Sequence, residues 1–443
     1  MRRSPEEDIV DFLSFSNDAP DCANEFLTIS QRRWKHLLQW LDDSGLALYF
    51  LQRLKDTSRT SAVPAGVTLQ LEQNFIRNRR RVDDMARRFN SLNSRFDDAG
   101  VCYAVIKGVS LVPEFCPDAR LRHQGDFDYL VDERSLLVAE RIIVEAGYAS
   151  KQSQSKKELA FVIPGGQPSR DADQYSAHAP HAVELHLDIW DSDMHRLPPL
   201  PRLFAVKEAV THHWSGLTFP ALNDADAFLL QILHVCHHLF TLWVRMANLF
   251  EIGYFLNRRS LDAALWNRIE QRVGDNLLLR EFVVVVVEMV TKVFAAPAPP
   301  LVRAWLGGVR PETRVWIENY ARQCAFSGLP AYQFKLFPSA KLVLFLHQQY
   351  RDNASVGRHL VGQRLLPSSR LSRMALSIRS RPSVLFEARW WKRHMIVRRS
   401  IFHALAGLRY VCEIPRWRWL NRASLQAASA SWTSNSLSSK KAS

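Results

Sequence analysis

The chain has 443 residues, 47% of them hydrophobic and 23% charged, with a net charge of +14. That balance excludes a disordered or collagen-like chain and leaves room for about three globular domains. Six scattered cysteines (Cys22, Cys102, Cys116, Cys236, Cys324, Cys412) show no C-x-x-C spacing, which argues against a disulfide framework and fits a reducing cytosol.

The N-terminus, Met1-Arg2-Arg3-Ser4, lacks the apolar core of a signal peptide. The most apolar run, residues 282–287, lies between Glu281 and Glu288 and falls far short of the ~20 residues that span a bilayer. A cytoplasmic location is expected, with peripheral attachment to a membrane as an option. Residues 1–100 read as a helical region. Trp34, Leu37, Leu38 and Leu41 recur at helical spacing, and Gly45 ends that stretch. After a polar connector at 57–66, Phe75, Val82, Met85, Phe89, Leu92 and Phe96 mark the apolar face of a long helix that Gly100 stops. Arg77, Arg79, Arg80, Arg81, Arg87 and Arg88 fall off that face and are expected to be solvated rather than to bind nucleic acid.

Residues 101–220 alternate strands and helices. Residues 103–106 predict a strand that ends at Lys107-Gly108, where glycine permits a tight turn and close approach of a phosphate. Ser110 is expected to start a helix whose N-terminal amides favour an anion. Asp126 and Asp128 then open a second strand that runs through Tyr129-Leu130-Val131. In a strand, residues two apart share a face, so both carboxylates project together. Two such charges repel unless a cation lies between them, and oxygen ligands of this kind suit Mg²⁺ or Mn²⁺ with substrate phosphates. A phosphate-cradling turn beside a carboxylate pair is the layout that nucleotidyl transfer needs; the bland alternative is a turn pair capping backbone amides. A helix over 135–146 follows, then a strand over 159–163, a polar loop over 164–180, and a strand over 183–190. That last strand alternates Glu184, His186 and Asp188 onto one face, so Glu184 and Asp188 both qualify as a third carboxylate.

Residues 221–345 return to helix. Asn223, with Asp226 three residues on, resembles a helix start. His234 and His238 lie one turn apart on that helix, with His237 between them. A metal pair is conceivable there, but with no third ligand at diagnostic spacing, packed histidines are the favoured reading. Residues 248–256 predict a helix that covers the sheet. The remainder, 346–426, is a basic helical tail. Within 357–422 fourteen Arg and one Lys face only Glu387 and Glu413, with Trp390, Trp391, Trp417 and Trp419 interleaved. Such a mixture suits an anionic membrane surface or a nucleic acid, and equally a packed helix with a basic outer face. Residues 427–443, rich in Ser, Ala and Lys, are expected to be unstructured.

The pattern Lys107-Gly108-x-Ser110, followed by Arg122-His123-Gln124-Gly125-Asp126-Phe127-Asp128, resembles the DNA-polymerase-beta-like nucleotidyltransferase superfamily. More narrowly it is similar to the bacterial uncharacterised nucleotidyltransferase family, whose hallmarks are an apolar-Lys-Gly turn and an Arg-x-x-Gly-Asp-x-Asp segment. The likeness runs from about Trp34 to about Leu256 and departs from the superfamily in placing Val109 between Gly108 and Ser110. It implies an α+β fold: a small mixed sheet flanked by helices, with N-terminal and C-terminal helical regions. It also implies Asp126, Asp128 and Glu184 as metal-binding, catalytic carboxylates, because Val183-Glu184-Leu185-His186 resembles the family's acidic-x-His strand. Lys107, Gly108, Ser110 and Arg122 are then the nucleotide-binding residues. The expected reaction is metal-dependent transfer of a nucleoside monophosphate from an NTP such as ATP to a hydroxyl acceptor, either a small, sugar-related molecule or a protein. The alternative from another class is a non-catalytic scaffold of the same fold that docks through its basic tail.

Overall fold

A computed structural model of the chain describes residues 3–16, 23–151, 155, 157–164, 174–176, 181–242, 244–327, 338–351 and 385–439. Most of the expected loop at 164–180 and the tail segment 357–384 lie outside the described residues. Two compact units emerge, one made of residues 1–237 and 245–301, the other of residues 238–244 and 302–443.

The first unit is built on a seven-stranded mixed sheet. Its strands are β1 (Tyr103–Val105), β2 (Asp126–Val131), β3 (Ala149–Lys151), β4 (Glu158–Val162), β5 (Ala182–His186), β6 (Val210–Trp214) and β7 (Leu217–Ala221). They are ordered β3-β4-β5-β2-β1-β7-β6. The two parallel pairings, β2 with β5 and β1 with β7, stand on either side of the antiparallel β1–β2 pair at the centre. The architecture is thus α+β, with helical regions at both ends of the chain.

Period-two alternation divides the central strands into two faces. Phe127, Tyr129 and Val131 of β2, with Val183 and Leu185 of β5, point into the core. They meet Val82, Met85, Phe89, Leu92 and Phe96 from the 34-residue helix Ala65–Asp98. Phe89 stacks on Tyr129 with ring centroids 6.1 Å apart and meets Phe219 of β7 edge-on at 5.0 Å. Burying an aromatic side chain of this kind stabilises a fold by several kcal/mol. The same alternation turns Asp126, Asp128, Glu184 and His186 to the opposite face. The core therefore fixes the site by fixing register: Asp128 sits opposite Glu184, and a one-residue slip would bury both carboxylates against Phe89.

Arg81 departs from the solvated face expected of it. It is 2% exposed, and its guanidinium donates to the Gln124 carbonyl at 3.1 Å and the Ser176 carbonyl at 3.0 Å. Ser110 starts no α-helix; residues 108–111 form a single 3₁₀ turn, and Pro113 follows too soon for a helix to propagate. The β6–β7 hairpin, absent from the sequence reading, turns at Ser215-Gly216, both with positive φ (49° and 81°). Asn223 does cap the helix Asp224–Phe240, accepting from the Asp226 amide at 3.1 Å.

Around the sheet, Phe12, Phe26, Trp34 and Phe50 form an aromatic cluster among the N-terminal helices. The helix Leu277–Phe294 runs through the interior, with Phe282 and the five valines after it all at most 1% exposed. This explains the apolar run there without a membrane. No described helix is long and apolar enough to cross one.

In the second unit the helix Leu385–Ser439 supplies Phe402, Ala406, Tyr410 and Trp417 to a core with Tyr320 and Phe345. Phe345 stacks on Trp417 at 4.9 Å and on Tyr410 at 4.6 Å. The helical backbone continues over residues 427–439, where composition alone suggests none. Several alanines and an upstream helix that has already met the nucleation cost account for the difference.

Candidate active site

Lys107 leaves the end of β1 beside β2, and its Nζ donates to Asp128 Oδ1 at 2.7 Å. From β5, His186 Nε2 meets the same oxygen at 3.1 Å and lies 3.6 Å from Glu184 Oε2. A carboxylate oxygen only accepts, so Nε2 carries the proton in this arrangement. Asp128 is 1% exposed at its side chain, whereas Glu184, at 24%, opens to solvent. Among the described residues, Asp128, Glu184 and His186 form a group whose donor atoms all lie within 4.8 Å of one another. Asp126 stands one pleat along β2 on the same face.

The electrostatics follow from this crowding. Burial raises Asp126, and the neighbouring charges of Asp128 and Glu184 add to it, so its pKa is pushed up to about 7 despite Lys107 and Arg122. Burial also works against an ionised Asp128, but Lys107 and then His186 outweigh it and hold this carboxyl well below the usual range. His186 is pulled down by burial, yet its hydrogen bonds to Asp128 and Glu184 prevail and lift it to about 9. Lys107 rises too, because Asp128, Glu184 and Asp126 more than offset its desolvation. Two carboxylates, an imidazole and a third carboxylate nearby are donors that suit a hard to borderline divalent cation; the imidazole leans toward Mn²⁺ and the oxygens serve Mg²⁺ equally well.

The other sequence candidates are placed less directly. Gly108 has φ +67°, and a Cβ there would stand 2.2 Å from the Gln124 amide nitrogen, which itself donates to the Asp126 carbonyl at 3.0 Å. Glycine thus suits 108 by its positive φ, and a side chain there would displace the Gln124 amide that props the start of β2. Ser110 turns its hydroxyl back to the Lys107 carbonyl at 3.1 Å, bracing the turn. Arg122 donates from Nε to Glu251 at 2.8 Å, a buried pair on the helix Met246–Arg259 that Tyr49 joins with a 3.0 Å hydrogen bond. Its positive charge nevertheless reaches Asp126. Asp188 does not alternate into the group. β5 ends at His186, and Asp188 accepts from Lys157 Nζ at 2.7 Å and from the Ile189 amide at 2.8 Å.

Three features beyond those candidates belong to the same surroundings. His186 was visible as the histidine of the Glu-x-His strand but was given no role there. His237, on the helix Asp224–Phe240, shares a 3.1 Å ring contact with His195, which stacks on Trp190. Burial and then the charges of Lys107 and His186 hold His237 down to about 4. Arg245 precedes the helix Met246–Arg259 and packs its guanidinium against Gly45; a Cβ on Gly45 would stand 2.7 Å from its Nε. No hydrogen bond or ion pair engages that guanidinium among the described residues. Burial and the like charge of Arg122 depress it, while Glu251, Tyr175 and Asp126 act in its favour. Nothing in the local sequence marks Arg245. The Glu251 that places Arg122 near it lies on a helix 129 residues further along the chain than Arg122.

No curated protein and no solved structure matches the chain. The family model of the uncharacterised nucleotidyltransferases matches residues 30–295, more than half of the chain and all seven strands of the sheet. The chain belongs to the uncharacterised nucleotidyltransferase family.

Proposed function

We propose that the chain is a divalent-metal-dependent nucleotidyltransferase that moves a nucleoside monophosphate from an NTP to a hydroxyl acceptor. The observation that carries this reading is the meeting of Asp128, Glu184 and His186 on one face of the central strands, with Asp126 beside them and Lys107 as countercharge. Asp126, Asp128 and Glu184 would hold the Mg²⁺ or Mn²⁺, with His186 alongside, and the bound metal would neutralise triphosphate charge. Lys107 and the backbone of the Gly108 turn face the β- and γ-phosphates. Arg122 and Arg245 bring fixed positive charge to the surroundings of Asp126. Glu184, the most open of the group, orients the acceptor hydroxyl and takes its proton as oxygen attacks the α-phosphorus. A new P–O bond forms, the bond to the bridging oxygen breaks, and pyrophosphate leaves with that electron pair. Most of the acceleration comes from pre-positioned charge rather than covalent chemistry.

Calorimetric titration of each NTP, with and without Mg²⁺ or Mn²⁺, tests the reading against the Asp126→Ala/Asp128→Ala variant. Saturable binding that needs both metal and aspartates supports it. A folded wild type that binds no NTP under either metal sinks it and favours a non-catalytic scaffold. The acceptor is best sought among hydroxyl compounds related to sugars and among proteins, by transfer of an α-labelled nucleotide.

A further inference from the structure

The helix Leu385–Ser439 carries two apolar faces, and only one of them is used inside its unit. Phe402, Ala406, Tyr410 and Trp417 are buried. Val397, Ile401, Leu408, Val411 and Trp419 are exposed, at 55%, 39%, 53%, 51% and 66%. At ~100° per residue, positions 397, 401, 408 and 419 fall within about 40° of one another, with 411 to one side. They form one stripe, about 33 Å long on an ideal helix, with Pro415 on the same face between Val411 and Trp419. Arginines accompany it: positions 398 and 416 lie about 80° to one side of Leu408, with Arg416 3.7 Å from Glu413 and over the Tyr320 ring, position 418 lies about 80° to the other side, and 422 falls within the stripe between 397 and 411. Between 397 and 424 there are six arginines and one glutamate, Glu413.

We propose that this stripe is a docking surface for an anionic phospholipid bilayer, on which the helix lies in the plane of the headgroups. An exposed row of Val, Ile, Leu and Trp has no use for a nucleic acid backbone, but it suits the boundary between headgroups and acyl chains. Arginines at the edges of such a row keep their aliphatic stems along the apolar surface and their guanidiniums at phosphate level. Trp419 gives the end of the stripe a residue type suited to that depth. The same arginine rows oppose pairing of two copies through this face, because like charges would meet along both edges. The stripe is too narrow and too charged at its flanks to cross a bilayer, in keeping with the lack of any described helix able to cross one.

The test is flotation of the full-length protein with vesicles of phosphatidylglycerol and phosphatidylcholine, or of phosphatidylcholine alone, at 0.1 M and 0.5 M NaCl. Wild type is expected to float with the anionic vesicles and to lose at least about fivefold of its bound fraction at high salt or without the anionic lipid. Leu408→Glu/Trp419→Glu is expected to lose a similar factor while keeping its melting temperature and metal response, since both side chains are already in water. Arg418→Gln/Arg422→Gln should lose the preference for anionic lipid. Wild type that never floats overturns the proposal, as do charge-bearing stripe variants that float like wild type. A dimer in light scattering that dissociates in Leu408→Glu, without flotation, would assign the stripe to a second copy. Saturable binding of a labelled oligonucleotide without flotation would assign it to nucleic acid.

Discussion

Lys107 Nζ lies 2.7 Å from Asp128 Oδ1, an ammonium seated on the carboxylate to which the proposed metal chemistry gives the leading role. Both side chains are largely buried, at 13% and 1% exposure. Removing one partner of such a pair leaves an uncompensated charge, which costs about 3–5 kcal/mol. Asp128→Ala is therefore expected to abolish metal-dependent NTP binding and also to lower the melting temperature. Lys107→Met/Asp128→Asn should recover much of that stability and none of the binding. A double-mutant cycle by thermal denaturation, run beside calorimetry, checks both halves; equal stability of all four proteins would show that the pair is not coupled.

Metal binding should release protons. Asp126, raised to about 7, must lose its proton to coordinate, and a cation beside His186, raised to about 9, disfavours the imidazolium as well. Apparent Mn²⁺ affinity is expected to rise as pH increases from 6 toward 9, with the lower part of the rise absent in Asp126→Asn. Calorimetry in buffers of different ionisation enthalpy reads the proton count, and a count of zero at pH 6.5 would contradict the assignment.

Arg245 offers a third test. Its guanidinium engages no described partner, so truncation breaks no hydrogen bond or ion pair. Arg245→Ala is expected to weaken NTP binding by about 10- to 100-fold, the scale of one lost charge-assisted contact. The change in melting temperature should be small. A large destabilisation with unchanged NTP affinity would instead make the residue a clamp on the end of the helix Gln31–Ser44.

Gly108→Ala should be strongly destabilising. The new methyl would meet the Gln124 amide nitrogen at 2.2 Å and would sit on a backbone at φ +67°. Expected losses are about 2 kcal/mol or more, and Gln124→Ala should restore only the steric part. Urea denaturation of the single and double variants separates the two contributions.

Acid sensitivity should come in part from His181. Its Nε2 and the Tyr148 hydroxyl are 2.7 Å apart, and burial followed by the charges of Arg88 and Arg81 hold it down to about 4. The unfolded state, at the ordinary value of 6.5, binds the proton first. Stability contributed by this group is thus complete above 6.5 and declines as pH falls from there toward 4. His181→Gln should flatten the dependence of unfolding free energy on pH across that window, measured by denaturant titration. A slope identical to wild type would remove His181 from the account.

The parts of this site that were legible are those that obey a local period. Asp126 and Asp128 share a face because strands alternate, and Glu184 could be preferred to Asp188 because Val183-Glu184-Leu185-His186 resembles the family's acidic-x-His strand. Asp188 joins Lys157 because β5 stops two residues earlier, and strand ends are not written in a local pattern. Arg81 was misread because its partners are two backbone carbonyls that only the folded chain brings to it. Ser110 was misread because a favourable N-cap residue was weighed without the proline three residues on. The β6–β7 hairpin had a signal in Ser215-Gly216, but its strands carry two histidines and a proline in place of the usual β-branched run. Arg245 could not have been found at all, since what marks it is a buried guanidinium with no described hydrogen-bond or ion-pair partner in the folded chain.

The parallel pairing of β2 with β5 has a consequence for the order of assembly. Asp128 and Glu184 face each other across a single ladder although 56 positions separate them in the chain. No hairpin or local fragment can hold both, and the chain must close a long loop before either gains its neighbour. Capacity to bind a divalent ion should therefore appear only when the middle of the sheet is complete. A metal-responsive probe added during refolding would act as a clock for that last closure, lagging behind the helical signal of the long Ala65–Asp98 segment.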